Sequence, residues 1–144
     1  MQKYNMKYNH LACLAIVAIS LLINACGSDK ESEKDRTNRL LKSTTWKLNR
    51  VTIDGVDKTN DYTGMTLKIS DGTYTSTNGE PVWPASGTWK LIDNTTAERD
   101  GSEAVHINGV TETSLTLSLD WQKTTLGEGR LSSIKGAYSF EFIK

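Results

Sequence analysis

Few residues in this chain are equipped for chemistry. His10 and His106 are the only histidines, and Cys13 and Cys26 the only cysteines, in 144 residues. Lys3 and Lys7 are followed by an apolar run over residues 11–23, broken only by Ser20, and then by the small Ala25. A charged start, a short apolar core and a small residue before the cut are the parts of a secretory signal. The run is shorter than the roughly 20 apolar residues that a spanning helix needs. Removing residues 1–25 takes His10 and Cys13 with it and leaves Cys26 at the new N-terminus. His106 is then the one imidazole, flanked by Val105 and Ile107, so strand alternation turns it toward solvent. One histidine and no spare thiolate argue against a zinc site built on nitrogen and sulfur. Asp54, Asp57 and Asp61 share a loop but lack the central glycine and closing glutamate of a calcium loop, so they are read as turn formers. No serine nucleophile elbow, phosphate-cradling glycine loop or paired catalytic carboxylates can be picked out. The expectation is a protein without catalytic residues, metal or cofactor. The formal net charge is +0 and loss of Lys3 and Lys7 makes the remainder slightly acidic, with no basic patch for nucleic acid.

The four tryptophans are the better clue. Trp46, Trp89 and Trp121 fall on apolar strand faces, as do Tyr138 and Phe140. Such aromatics either fill a core or line a site for a small apolar molecule, since ligand pockets are concave and mostly apolar. Trp83 sits between Pro81 and Pro84, which stiffen its loop. It either closes one mouth of the fold, lies back on the core, or presents an aromatic anchor to a partner protein or glycan.

The elements that must position these residues are strands. From Thr44 onward there is no sustained 3.6-residue periodicity, while Asp54-Gly55, Asp71-Gly72, Asn78-Gly79, Asp100-Gly101 and Asn108-Gly109 supply hairpin turns. Asp93-Asn94 is a weaker turn of the same kind. The spacing predicts strands over residues 45–53, 65–70, 73–77, 87–92, 95–99, 103–107, 111–121 and 135–143. Leu115, Leu117, Leu119 and Trp121 share one face, and Tyr138, Phe140 and Phe142 share another. In the first strand Trp46 and Leu48 have one parity and Val51 and Ile53 the other, which a bulge near Asn49-Arg50 reconciles. The expected fold is all-β: an eight-stranded antiparallel up-and-down barrel, with a two-sheet sandwich as the competing closure. Residues 54–64 and 122–134 are the connections long enough for a Greek-key crossing.

Before the strands, residues 27–38 hold dense charge and no large apolar side chain, which reads as a flexible tether. Residues 38–43 are expected to form one helical turn that plugs an end of the fold.

Two resemblances add to this reading. Leu22-Ile23-Asn24-Ala25-Cys26 resembles a bacterial lipoprotein signal box, which implies a cleaved signal over residues 1–25 and lipid on Cys26. Several acyl chains on that cysteine would meet the two-signal requirement for stable anchoring. Gly27 rather than aspartate follows it, and the acidic residues nearby resemble export signals, which implies the outer membrane of a Gram-negative cell, on its periplasmic or surface face. Thr45-Trp46-Lys47-Leu48, Val56-Asp57, Asp71-Gly72-Thr73-Tyr74, the run from Pro84 to Trp89 and Thr113 to Leu117 together resemble small bacterial lipocalin-like domains. That resemblance covers residues 44–144 and implies an eight-stranded barrel that binds a small apolar ligand. A solid barrel that recognises a partner protein or glycan through its loops is the alternative. In this division residues 26–43 are lipidated cysteine and tether.

Overall fold

The computed structural model describes residues 30–127, 130–133 and 135–144; side chains are described outside residues 125–134. Residues 1–25, read as a signal, and Cys26 lie outside the described residues.

The first element, helix α1 (Glu33–Leu41), is longer than the single turn expected over residues 38–43. Ser32 caps it: its Oγ accepts from Asp35 N–H at 3.0 Å and donates to the Asp35 carboxylate at 2.6 Å. Acidic Glu33 and Asp35 occupy the first turn and Arg39 the last, each on the side the helix dipole favours. Thr37, Leu40 and Leu41 are its buried residues, a stripe at the i, i+3, i+4 spacing of one helix face. The tether read over residues 27–38 therefore gives way to packed structure at Ser32, where the compact unit Ser32–Lys144 begins. Charge density hid a helix that needs only three buried contacts and a cap.

Eleven short strands follow. They are β1 (Thr45–Ile53), β2 (Val56–Asp57), β3 (Thr66–Ile69), β4 (Thr73–Thr77), β5 (Ser86–Leu91), β6 (Thr96–Arg99), β7 (Glu103–Val110), β8 (Ser114–Trp121), β9 (Thr125–Gly127), β10 (Arg130–Ser133) and β11 (Gly136–Ile143). Eight of them make a closed antiparallel up-and-down barrel in the order β1-β3-β4-β5-β6-β7-β8-β11, with β11 paired back onto β1. Consecutive barrel strands are neighbours throughout, so the sandwich alternative is excluded. The two long connections carry no crossing. One holds β2, which hooks onto the end of β1, and a short 3-10 helix, Thr59–Tyr62. The other holds the separate β9–β10 hairpin.

The turns explain the meander. Asp54 and Gly55 have φ of 50° and 80°, and Asp100 and Gly101 of 53° and 74°, the two consecutive positive angles of a tight hairpin turn. Asn108-Gly109 behaves differently. β7 runs through it to Val110, the register with β8 shifts between Ile107 and Gly109, and the chain reverses at residues 111–114. The glycine thus marks a bulge rather than a hairpin. The bulge expected in β1 is present, as a register shift between Leu48 and Arg50 opposite β11. It brings Trp46, Val51 and Ile53 all to the inside.

Inward residues form one apolar core. Leu115, Leu117 and Leu119 of β8 stand opposite Phe142, Phe140 and Tyr138 of β11, and all six are buried. Leu40 and Leu41 are buried where α1 meets the barrel, and Trp46 Nε1 donates to the Leu41 carbonyl at 2.9 Å. Lys34 and Thr37 of α1 reach the carbonyls of Ile92 and Asn94 in the β5–β6 turn, and Lys42 just beyond it pairs with Asp71 in the β3–β4 turn. The helix thereby covers the barrel end formed by those turns.

Candidate interior site

The six aromatic residues singled out from the sequence separate into two sets. Trp46 belongs to the α1 junction, where its indole serves the last turn of the helix. Trp121 is buried at the end of β8, with the Lys123 ammonium 5.4 Å from its ring. Trp83, Trp89, Tyr138 and Phe140 come together inside the barrel. Trp83 stacks on Trp89 with centroids 6.4 Å apart, and meets Phe140 edge-on at 6.1 Å. Phe140 in turn stacks on Tyr138 at 5.8 Å.

Trp83 reaches this position because its loop folds inward between β4 and β5. Its backbone N–H donates to the Gly79 carbonyl at 2.8 Å, and the buried Ser76 hydroxyl donates to the carbonyls of Trp83 and Pro84. A side chain on Gly79 would lie 2.7 Å from Trp83 Cβ, so glycine permits the approach. The result is a fully buried ring at 0% exposure. Of the three roles open to Trp83, the structure shows a loop residue turned into the core.

Directly beside this cluster lies a residue that sequence reasoning missed. Arg99 is 1% exposed and pairs across the β5–β6 ladder with Trp89. Its guanidinium carbon sits over the Trp83 ring, 4.5 Å from the centroid, a cation–π contact. Its Nε lies 3.5 Å from Asp100 Oδ2 without a hydrogen bond. That carboxylate is already engaged: Oδ2 accepts from the Tyr74 hydroxyl at 2.8 Å and Oδ1 from Thr88 N–H at 2.9 Å. Gly87 makes room for this arrangement, since a Cβ there would fall on Asp100 Oδ1 and Tyr74.

Four buried donors consequently have no hydrogen-bond partner among the described residues: Nε and Nη1 of Arg99, and Nε1 of Trp83 and of Trp89. An unsatisfied buried donor costs about 1–3 kcal/mol, and more when it is charged. Most buried polar atoms in folded proteins are paired, so four in one cluster call for a cause. Burial pushes the Arg99 guanidinium below its usual value, opposed by Tyr74, Asp100 and Glu103. It nonetheless stays protonated at neutral pH. The signal for Arg99 was its parity. It shares a face with Ala97, and Ala97 points inward, so an arginine had to follow it in.

At the α1 end, an open cleft of about 310 Å³ lies between the helix and the barrel. Lys34, Asp35 and Asn38 form one side, the Ser70-Asp71-Gly72 turn another, and Trp89, Lys90 and Leu91 its strand wall. Trp89 therefore links this opening to Trp83 and, through it, to Arg99.

The remaining titratable groups do structural work. His106 is exposed between buried Val105 and Ile107. Asp54 accepts from Ala137 N–H, and Asp57 from Thr59 N–H and Arg50, as turn and strand-end groups do. Asp61 sits in the short 3-10 helix. Burial first, then the hydrogen bond to Asp100, raises the Tyr74 hydroxyl pKa, and burial raises that of Tyr62. A raised folded value means that the stabilisation is fully present below the unfolded tyrosine value of 10.0 and is lost as pH climbs above it. The denaturant midpoint should hold from pH 7 to 9 and fall above pH ~10, and the fall should be shallower in Tyr74→Phe.

No family model matches the chain, and a search of characterised proteins likewise finds none that matches it in sequence.

Proposed function

We propose that this protein is a lipid-anchored, non-enzymatic binding module of lipocalin-like design, attached to the outer membrane through Cys26 and holding a small apolar ligand inside its barrel. The observation that carries the ligand is the pairing of an aromatic interior with unsatisfied donors. A barrel filled purely for stability would satisfy its buried N–H groups or use residues that have none. Trp83 and Trp89 instead keep their indole donors unpaired among packed aromatic rings. The ring contacts around Phe140 favour a compact molecule over a long chain.

The second reading, a solid module that docks a partner protein or glycan by its loops, loses its aromatic anchor, because Trp83 is buried. The exposed large apolar residues Val56, Ile92 and Ile143 are single side chains of the kind that ordinary surfaces carry.

Two measurements test the proposal. Radiolabelled palmitate should enter the wild type and be absent from Cys26→Ser; equal labelling of both removes the anchor. Native mass spectrometry of protein purified from its own host should find a stoichiometric small molecule that Trp89→Ala loses. Protein that is repeatedly free of any small molecule removes the ligand.

A further inference from the structure

We propose that the barrel's ligand is a compact organic carboxylate, with its anionic group held at Arg99 beside the indole N–H groups of Trp83 and Trp89. This rests on the reading of the barrel as a ligand-binding module and specifies the ligand's chemistry.

The argument begins with the sign of what is unpaired. All four orphaned atoms are donors, so the partner they lack is an acceptor. An amine or another cation would add a fifth donor and a second positive charge. A neutral alcohol offers one oxygen and leaves the guanidinium's charge as it is. A carboxylate offers two acceptor oxygens and the negative charge that strengthens hydrogen bonds to a guanidinium.

Charge points the same way. The carboxylate beside Arg99 is Asp100, with Glu103 across the ladder on β7, and both Asp100 oxygens already accept from Tyr74 and Thr88. Nε of Arg99 is 3.5 Å from it and forms no hydrogen bond to it. Asp100 is therefore oriented by groups other than the arginine, which leaves the guanidinium's own donors free for something else. A monoanion is also the right magnitude. A dianion such as phosphate would bring a second charge into surroundings of Trp83, Trp89 and Phe140 rings, where desolvating it is costly.

The body of the ligand follows from the rings. Trp83 stacks on Trp89 and touches Phe140 and Tyr74 edge-on, so the surroundings of the arginine are aromatic faces and edges. Such surroundings suit a flat or short apolar group attached directly to the carboxylate. Trp89 also borders the cleft beneath α1, which gives this cluster a side facing the surface.

The test uses the full chain in detergent micelles, with tryptophan indoles labelled with nitrogen-15 and assigned by Trp83→Phe and Trp89→Phe. Sodium benzoate is the probe, benzamide its neutral counterpart and inorganic phosphate the anion without an apolar body. Benzoate should move the Trp83 and Trp89 indole resonances saturably, while benzamide and phosphate at equal concentration leave them in place. Arg99→Met should weaken benzoate at least tenfold. Where Arg99→Met does not fold, Arg99→Lys keeps the charge and loses the fork, and should also bind at least tenfold more weakly; unchanged affinity there overturns the proposal. Equal shifts with benzoate and benzamide, unaltered in Arg99→Met, overturn the carboxylate and leave the apolar-ligand reading standing. Phosphate binding as tightly as benzoate overturns the organic ligand in favour of a plain anion site. No saturable shift with benzoate or with hexanoate overturns the inference, whatever mass spectrometry finds bound to the native protein.

Discussion

Replacing Phe140 by alanine is expected to destabilise the barrel by about 3–5 kcal/mol. The ring is 0% exposed and stands in β11 between Val51 of β1 and Leu117 of β8, at the seam where the sheet closes on itself. It meets Tyr62 and Trp83 edge-on and stacks with Tyr138 and Phe142. Aromatic pairs of this kind add about 0.5–1.5 kcal/mol beyond the area they bury. The four neighbouring rings cannot all move into the space that alanine leaves, because Tyr138 and Phe142 are fixed on β11 itself and Tyr62 and Trp83 by their own connections, so the cavity term applies nearly in full. Phe140→Leu keeps most of the volume and should cost under about 1.5 kcal/mol. Urea unfolding of the two variants beside the wild type would measure both. A loss below about 1 kcal/mol for the alanine variant would mean that the centre of the barrel is loosely packed. With total stabilities of about 5–15 kcal/mol typical of single domains, the alanine substitution removes about a fifth or more of what holds the fold.

The second large effect is expected at Asp100. Asp100→Ala removes the acceptor for Tyr74 and Thr88 and the carboxylate that forms an ion pair with Arg99. Breaking a fully buried pair costs about 3–5 kcal/mol, because the surviving charge stays buried without its partner. Asp100 is one-third exposed, so about 2–4 kcal/mol is expected here. Part of that is backbone, since φ of 53° is a conformation that aspartate and asparagine tolerate better than alanine. Asp100→Asn keeps the turn and some hydrogen bonding and isolates the charge. The decisive comparison is Asp100→Ala in an Arg99→Met background. If the cost comes from a stranded guanidinium, it should shrink by more than 1 kcal/mol once the guanidinium is gone. An unchanged cost would place the effect in the turn and in the Tyr74 hydrogen bond.

What was legible in the chain follows from how local each feature is. The Asp-Gly pairs at 54–55 and 100–101 announce their turns because positive φ is a property of the residues themselves. The alternation of β8 and β11, and the parity change in β1, likewise reveal which faces are buried and where the bulge lies. Closure was not legible. The pairing of β11 with β1 joins the two ends of the domain, and no local pattern distinguishes it from a second sheet. Helix α1 was hidden by its charge, although Ser32 and Asp35 wrote its cap in plain view ahead of Leu40 and Leu41. Asn108-Gly109 misled because a glycine at a bulge and a glycine in a hairpin look alike in sequence. Within the site, the aromatics were visible but their grouping was not: Trp46 and Trp121 share the apolar faces of Trp89 and Phe140 yet belong to different places in the barrel. Arg99 went unread because charge suggests the surface, whereas its parity with Ala97 carries it inside.

The seam between the first and last strands also decides when this protein can exist. Lys47 pairs with Ile143 of β11, so the barrel cannot close until β11 has emerged from the ribosome. Until then β1 has only its short pairings with β3 and β2, and the hydrophobic face of β8 has no β11 beside it. Contacts between residues so far apart in the chain place such folds among the slow folders, with times of milliseconds to seconds. Until β11 pairs with β1, nothing in the topology locks the intervening strands into a closed barrel.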